Sequence, residues 1–144
     1  MRIDGVWVRD EDGLQRPVIH ATVRTQSGDW VDCPFLLDTG ADRTVLSAGV
    51  LVQLGLATTQ AVRQLGGIGG VVETVHVWTE IRFTDTTGSP ATIGATYAAF
   101  TDATALEESV LGRDVLGLFA VIVDKGADTV CLLHGRHRYV IQES

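Results

Sequence analysis

Two cysteines, Cys33 and Cys131, are too few for a disulfide framework and suit a reducing compartment. Charge is also scarce: 20% of the 144 residues are charged against 45% hydrophobic, the wrong balance for a disordered chain. Positive charge is scarcer still. With 11 Lys and Arg against 18 Asp and Glu the net charge is −7, a poor counter-ion for phosphate, so no nucleic-acid partner is expected. No apolar run approaches the ~20 residues that span a bilayer. The N-terminus, Met1 to Val8, turns acidic at Asp10-Glu11-Asp12 and lacks the apolar core of a signal peptide. No membrane partner is expected, and the expected location is cytoplasmic. Length imposes a last exclusion: residues 1–144 make one domain, with no room for a site built from two similar domains of one chain.

What is present reads as short strands joined by turns. Val18 to Val23 is β-branched and apolar and follows Pro17, as an edge strand would. Thr25-Gln26-Ser27-Gly28-Asp29 is a turn cluster, after which Trp30 to Leu37 resumes as strand. Val71 to Phe83 gives the clearest signal: Val75, Val77, Thr79, Ile81 and Phe83 alternate with His76, Trp78, Glu80 and Arg82. A turn over 84–90 precedes the strand Ala91 to Phe100. Near the end, Thr129 to His134 and His137 to Ile141 flank Gly135-Arg136, the spacing of a type II′ hairpin. Ser47 to Leu56 places Val50, Leu51 and Leu54 on one helical face that Gly55 can end, and Asp114 to Phe119 predicts a shorter helical turn. The pattern predicts an all-β domain, a closed or sandwich-like β-barrel with one or two short helices.

The strongest local feature is Phe35-Leu36-Leu37-Asp38-Thr39-Gly40-Ala41-Asp42. An apolar strand runs straight into an acid, a hydroxyl and a glycine. The glycine permits a sharp turn and a close backbone approach, and the carboxylate emerges from a rigid strand end. Alone, the triplet reads equally well as a turn. Further along, however, Ser109-Val110-Leu111-Gly112-Arg113-Asp114-Val115-Leu116 repeats the apolar pair and glycine before a helix. Between the two lies the glycine-dense Gln64-Leu65-Gly66-Gly67-Ile68-Gly69-Gly70-Val71.

In this order and spacing the three segments resemble the retropepsin-like aspartic proteases, single-domain relatives of pepsin. Leu36 to Asp42 with Thr44-Val45-Leu46 is similar to the catalytic motif of the retroviral enzymes, and Leu111 to Leu116 to their second glycine loop and C-terminal helix; the likeness covers roughly residues 17 to 133. The resemblance implies a retropepsin-like acid protease fold with a Gly-rich flap, and an aspartic endopeptidase that needs no cofactor and no metal. It implies two aspartates facing each other across a water. Only one Asp-Thr-Gly occurs: Asp85-Thr86-Thr87-Gly88 has an extra residue, and Asp128-Thr129-Val130 lacks the glycine. A complete site then needs Asp38 from two chains of a homodimer, with a peptide or protein as substrate.

By the same resemblance Thr39 braces the two catalytic loops across the two-fold axis, Gly40 presents backbone to the substrate, and Ala41 packs beside it. Asp42 pairs with Arg113 next to Gly112 and steadies the loops from below, while also bordering the substrate. Arg43 stands where many viral sequences place a second acid, which leaves substrate preference open. Gly67, Ile68 and Gly69 form the flap tip over the substrate. A phosphate cradle is disfavoured there because no Lys-Ser/Thr follows, though a plain exposed loop stays open. Glu108 and Val110 align with pocket-wall positions, and Glu108 is expected to favour a basic substrate side chain.

Two other readings remain open: a retropepsin-like domain kept for dimerisation or peptide binding without turnover, and a small β-barrel for an apolar ligand. Cys131, His134 and His137 read as strand and hairpin neighbours rather than a zinc set. Cys33 reads as a small core residue, and Ser109 lacks a nucleophile motif. Trp30, Trp78 and Tyr97 read as core or rim. Met1 to Gln15 and Arg138 to Ser144 match the interleaved terminal strands of retroviral enzymes poorly, so pairing across a dimer and capping of the barrel both stay open.

Overall fold

Period-two burial organises the chain into an all-β fold, seen in a computed structural model that describes residues 1–60, 65–67, 70–102 and 108–143. The first strands are β1 (Arg2–Asp4), β2 (Val6–Arg9), β3 (Gln15–Arg24), β4 (Trp30–Leu37) and β5 (Val45–Leu46), followed by helix α1 (Ala48–Leu54). Then come β6 (Thr59–Gln60), β7 (Leu65–Gly67), β8 (Gly70–Val72), β9 (Thr74–Thr84), β10 (Pro90–Phe100) and β11 (Ser109–Leu111). The helical turn α2 (Arg113–Leu116) leads to β12 (Ala120–Asp124) and β13 (Thr129–Leu133).

The main sheet has the order β2-β3-β4-β11-β5-β10-β9-β6, and β3 pairs again with β9 at Thr22↔Arg82 and Val23↔Ile81. Those two pairs close the strands from β3 round to β9 into a ring. The ring is less than the closed β-barrel expected, because β5 supplies only two residues and β2 and β6 lie outside the closure. Inside it, Ile19, Phe35, Leu46, Ile81, Phe83, Tyr97 and Leu111 are 0–1% exposed. Full burial of apolar side chains of this size stabilises by roughly 1.5–3 kcal/mol each. In β9 the expected alternation holds: Val77, Thr79, Ile81 and Phe83 are buried, whereas Trp78 is exposed. α1 packs Leu54 inward, starts where Ser47 Oγ accepts from the Val50 amide at 3.3 Å, and ends at Gly55 with φ +62°. Among the described residues no helix is long and apolar enough to cross a membrane.

Three sequence expectations change. The Val18 to Val23 segment is not an edge, since β3 lies between β2 and β4. Pro17 is tolerated because the β3–β4 ladder begins at Val18, one residue later, so its missing N–H takes nothing from that ladder. The run from Val71 to Phe83 is split at Glu73, where the chain changes partners: β8 pairs with β7, and β9 pairs with β10. The C-terminal hairpin is absent. β13 is the centre of a separate sheet, β1-β13-β12, with Ile3 and Val121 both opposite Leu132, so neither edge is free for His137 to Ile141. Residues 134–143 carry no strand, and the chain's first strand is bound within its own fold.

Candidate active site

β11 lies parallel to β4, with Val110 opposite Leu36 and Leu111 opposite Leu37. The ladder's next bond runs from the Asp38 amide to the Leu111 carbonyl at 3.1 Å, so Asp38 leaves the sheet with its backbone still anchored. The chain then turns: the Ala41 amide donates to the Asp38 carbonyl at 3.2 Å, and the Gly40 amide donates to Asp38 Oδ1 at 2.9 Å. The loop thereby orients the carboxylate with its own backbone. Asp38 is half-buried, while Thr39 and Gly40 are exposed. A Cβ at position 40 would lie 3.2 Å from Asp38 Oδ1, so glycine keeps that oxygen uncrowded. Asp38 and Thr39 open onto a cavity of about 440 Å³ lined also by Pro17, Leu37, Val121 and Val123.

A second loop braces the first from below. The Arg113 amide donates to the Ala41 carbonyl at 2.8 Å and the Asp114 amide to the Asp42 carbonyl at 3.2 Å. Gly112 passes so close that a Cβ there would sit 2.4 Å from the Arg43 carbonyl carbon. The expected Arg113–Asp42 ion pair is present, but the guanidinium divides itself. One nitrogen meets Asp42 Oδ1 and another donates to the Thr39 carbonyl at 3.3 Å, so it ties two points of the Asp38 loop rather than gripping one carboxylate as a fork.

Asp114 and Thr44 are the supports that sequence reasoning missed. Asp114 Oδ1 accepts from the Thr44 amide at 2.8 Å, the Thr44 hydroxyl at 2.7 Å and the Val115 amide at 2.9 Å. Thr44 Oγ1 also accepts from the Gly112 amide at 3.0 Å, so the fully buried threonine links both loops. The available signal was an acid in the first turn of a short helix behind a glycine.

The other candidates fall as follows. Glu108 is exposed and Val110 is buried in β11; neither lines the Asp38 cavity. Gly67 pairs with Gly70 in the β7–β8 ladder, and Ile68 and Gly69 lie outside the described residues. Cys131 is buried in β13, whereas His134 and His137 are exposed on the tail and His134 stacks edge-on to Phe119 at 6.0 Å. Trp30 carries the Arg82 guanidinium at 4.0 Å, and Tyr97 is a core residue whose hydroxyl donates to the Ile93 carbonyl at 2.9 Å.

Ser109 is buried as a structural acceptor, taking hydrogen bonds from the Ser47 amide at 2.9 Å and from Cys33 Sγ at 3.4 Å. Burial pushes the Cys33 thiol up to about 11, and the bond to Ser109 partly opposes this. Such a thiol holds its proton more tightly folded than unfolded. Its contribution is therefore complete below the unfolded value of 9.0 and lost as pH rises through about 11. Denaturant midpoints should fall across that window, and Cys33→Ala should make the fall shallower. Tyr97 keeps some of it, because burial, reinforced by the charge of Asp114, raises its phenol as well. A slope identical in Cys33→Ala removes the thiol as a cause.

Comparison with known proteins agrees with this geometry. A sequence profile of the family described as aspartyl protease matches residues 21–115. The solved structure of EIAV protease complexed with an inhibitor is similar over 71% of this chain and 86% of its own, at 26% identity and a TM-score of 0.51. A retropepsin-like aspartic protease from Rickettsia conorii is similar in fold over 92% of this chain and 97% of its own, at 19% identity and a TM-score of 0.59. No curated protein matches the sequence. Since the family profile runs unbroken from β3 through both braced loops to Val115, the chain belongs to the aspartyl protease family, in a retropepsin-like fold.

Proposed function

We propose that the protein is an aspartic endopeptidase whose site is shared by two copies of the chain, each supplying Asp38. The observation that carries this reading is the lone Asp-Thr-Gly, whose carboxylate is oriented by its own loop and opens into a cavity. Two carboxylates facing each other closely cannot both ionise, so they share one proton. The ionised member takes a proton from water as its oxygen attacks the peptide carbonyl carbon. The protonated member donates to the carbonyl oxygen as it becomes an oxyanion. Collapse of that intermediate breaks the C–N bond, and the leaving nitrogen takes up a proton. The products are a carboxylic acid and an amine, the peptide plus one water.

Thr39, exposed beside Asp38, braces the partner loop in this reading, and Gly40 and Ala41 lie along the substrate. Asp42, held by Arg113, borders it. Gly67, Ile68 and Gly69 serve as the lid, and the exposed Glu108, just before β11, sets a preference for a basic side chain.

A chemically unfolded protein substrate, incubated from acidic to neutral pH, tests the reading. Cleavage should follow a bell-shaped profile. At low pH both carboxylates are protonated and no base remains; at high pH both are ionised and no acid remains. A folded protein that cuts nothing at any pH would leave a peptide-binding domain instead.

A further inference from the structure

Outward positions of β9 alternate with its buried ones, so Trp78 and Glu80 both leave the outer face of the sheet. Trp78 is 60% exposed, and its indole lies over β10 at Gly94, where an added Cβ would stand 3.3 Å from the ring. Beside it opens a cavity of about 310 Å³ that shares no residue with the one at Asp38. Trp78 and Glu80 line it together with Arg24 and Gln26 of the β3–β4 turn, and Leu56 just past α1 completes it. Its walls are tied together by the fold itself. Thr79 Oγ1 donates to the Arg24 carbonyl at 2.8 Å, and the Gln26 amide donates to the Leu54 carbonyl at 2.9 Å. Glu80 has room for a further donor: Arg24 Nη1 reaches its Oε1 at 3.4 Å, and Oε2 has no hydrogen-bond partner among the described residues.

The ligand chemistry follows from what the protein's other surface tryptophan holds. Trp30 carries the Arg82 guanidinium at 4.0 Å, whereas among the described residues no cation stacks on Trp78. An open indole face beside a spare carboxylate oxygen suits a basic side chain, and the net charge of −7 draws cations to the surface. An anion would meet Glu80, and Arg24 is already committed to that carboxylate. We infer that this cavity is a second polypeptide-binding site, which takes a basic side chain of the substrate far from the bond that is cut. The inference rests on the proposed endopeptidase reading and adds to it a recognition site outside the cleft. β4 separates the two. The cavity adjoins the Arg24↔Trp30 pair at one end of the strand, Asp38 follows Leu37 at the other, and eight residues of strand span roughly 25 Å. A substrate held at both places therefore needs at least about eight extended residues between them. The same distance keeps this surface clear when two Asp38 loops meet.

The probe is a blocked Gly-Arg-Gly tripeptide, with Gly-citrulline-Gly as its neutral counterpart, titrated while the indole N–H signals are followed by NMR. The Trp78 signal should move saturably with the arginine peptide and stay still with the citrulline one. Glu80→Gln should weaken that binding ~5-fold. The Trp30 signal, its ring already covered by Arg82, should not move. No saturable movement at Trp78, or an equal one with citrulline, overturns the site. In cleavage, Trp78→Ala should raise KM for an unfolded protein substrate ~5-fold with kcat unchanged, and leave peptides shorter than eight residues as they were. An unchanged KM on the long substrate, or an equal rise on the short ones, overturns its part in substrate capture. Failure of the endopeptidase reading looks different. A parent protein that binds the arginine peptide at Trp78 but cuts nothing retains the site and loses the protease, whereas one that cuts with no shift at Trp78 retains the protease and loses the site.

Discussion

Asp38→Asn should lower peptide cleavage by ~10³-fold or more, about 4 kcal/mol of transition-state stabilisation, with the fold intact. Asparagine is nearly the same shape, and its Oδ1 can still accept the Gly40 amide that orients the carboxylate in the native chain. In the proposed shared site the loss is therefore chemical: neither copy could then take a proton from water or hold the shared one. The proposed homodimeric site adds a sharper consequence. Asp38→Asn chains mixed with unaltered chains should suppress activity beyond simple dilution, because each mixed dimer has one carboxylate where two are needed. An unchanged rate in the purified variant sinks the protease reading. Loss matched to dilution in the mixture sinks the sharing of the site while leaving Asp38 in its role.

Gly112→Ala should be the most damaging single-methyl change in the molecule's base. The added carbon would lie 2.4 Å from the Arg43 carbonyl carbon, 2.5 Å from its oxygen and 2.9 Å from its nitrogen. These are backbone atoms, so no side chain can swing aside. Relief requires the two loops to part, which stretches the Gly112 amide's bond to Thr44 Oγ1 and the neighbouring pair from Arg113 and Asp114. A cost of ~3 kcal/mol is expected, or about 10 °C in melting temperature for a domain of this size. Cleavage should fall with it, since the same bonds hold the Asp38 loop. Gly49→Ala is the control: nothing lies within 4 Å of its added carbon, and it sits in α1, where alanine is favoured by roughly 0.5–1 kcal/mol. Equal melting temperatures for Gly112→Ala and the parent would show that the crossing yields.

What was legible in the sequence follows from distance along the chain. Asp38-Thr39-Gly40 ends an alternating strand, and the Ser47 and Gly55 signals that bound α1 lie within a few residues of it, so local chemistry revealed them. The Arg113–Asp42 pair was visible only through resemblance, and its division between a carboxylate and the Thr39 carbonyl was not visible at all. Asp114 looked like an ordinary helix-start acid, because its Thr44 partners lie far earlier in the chain. The C-terminal hairpin failed for the same reason. His137 to Ile141 has strand-like composition, but β13 is enclosed by β1, from the first residues, and by β12. Local pattern reports which segments can be strands; it does not report which edges are already taken.

The insertion of β11 between β4 and β5 sets an order on the making of the protein. Residues 109–111 fill a gap flanked by residues 30–37 and 45–46, and the bonds steadying the Asp38 loop come from 111, 113 and 114. On the ribosome Asp38 emerges long before any of these, and contacts so distant in sequence form late. A growing chain thus carries an Asp38 loop without the bonds that steady it. The delay is written into strand order: the Asp38 loop stays unbraced until residues 111, 113 and 114 have been made.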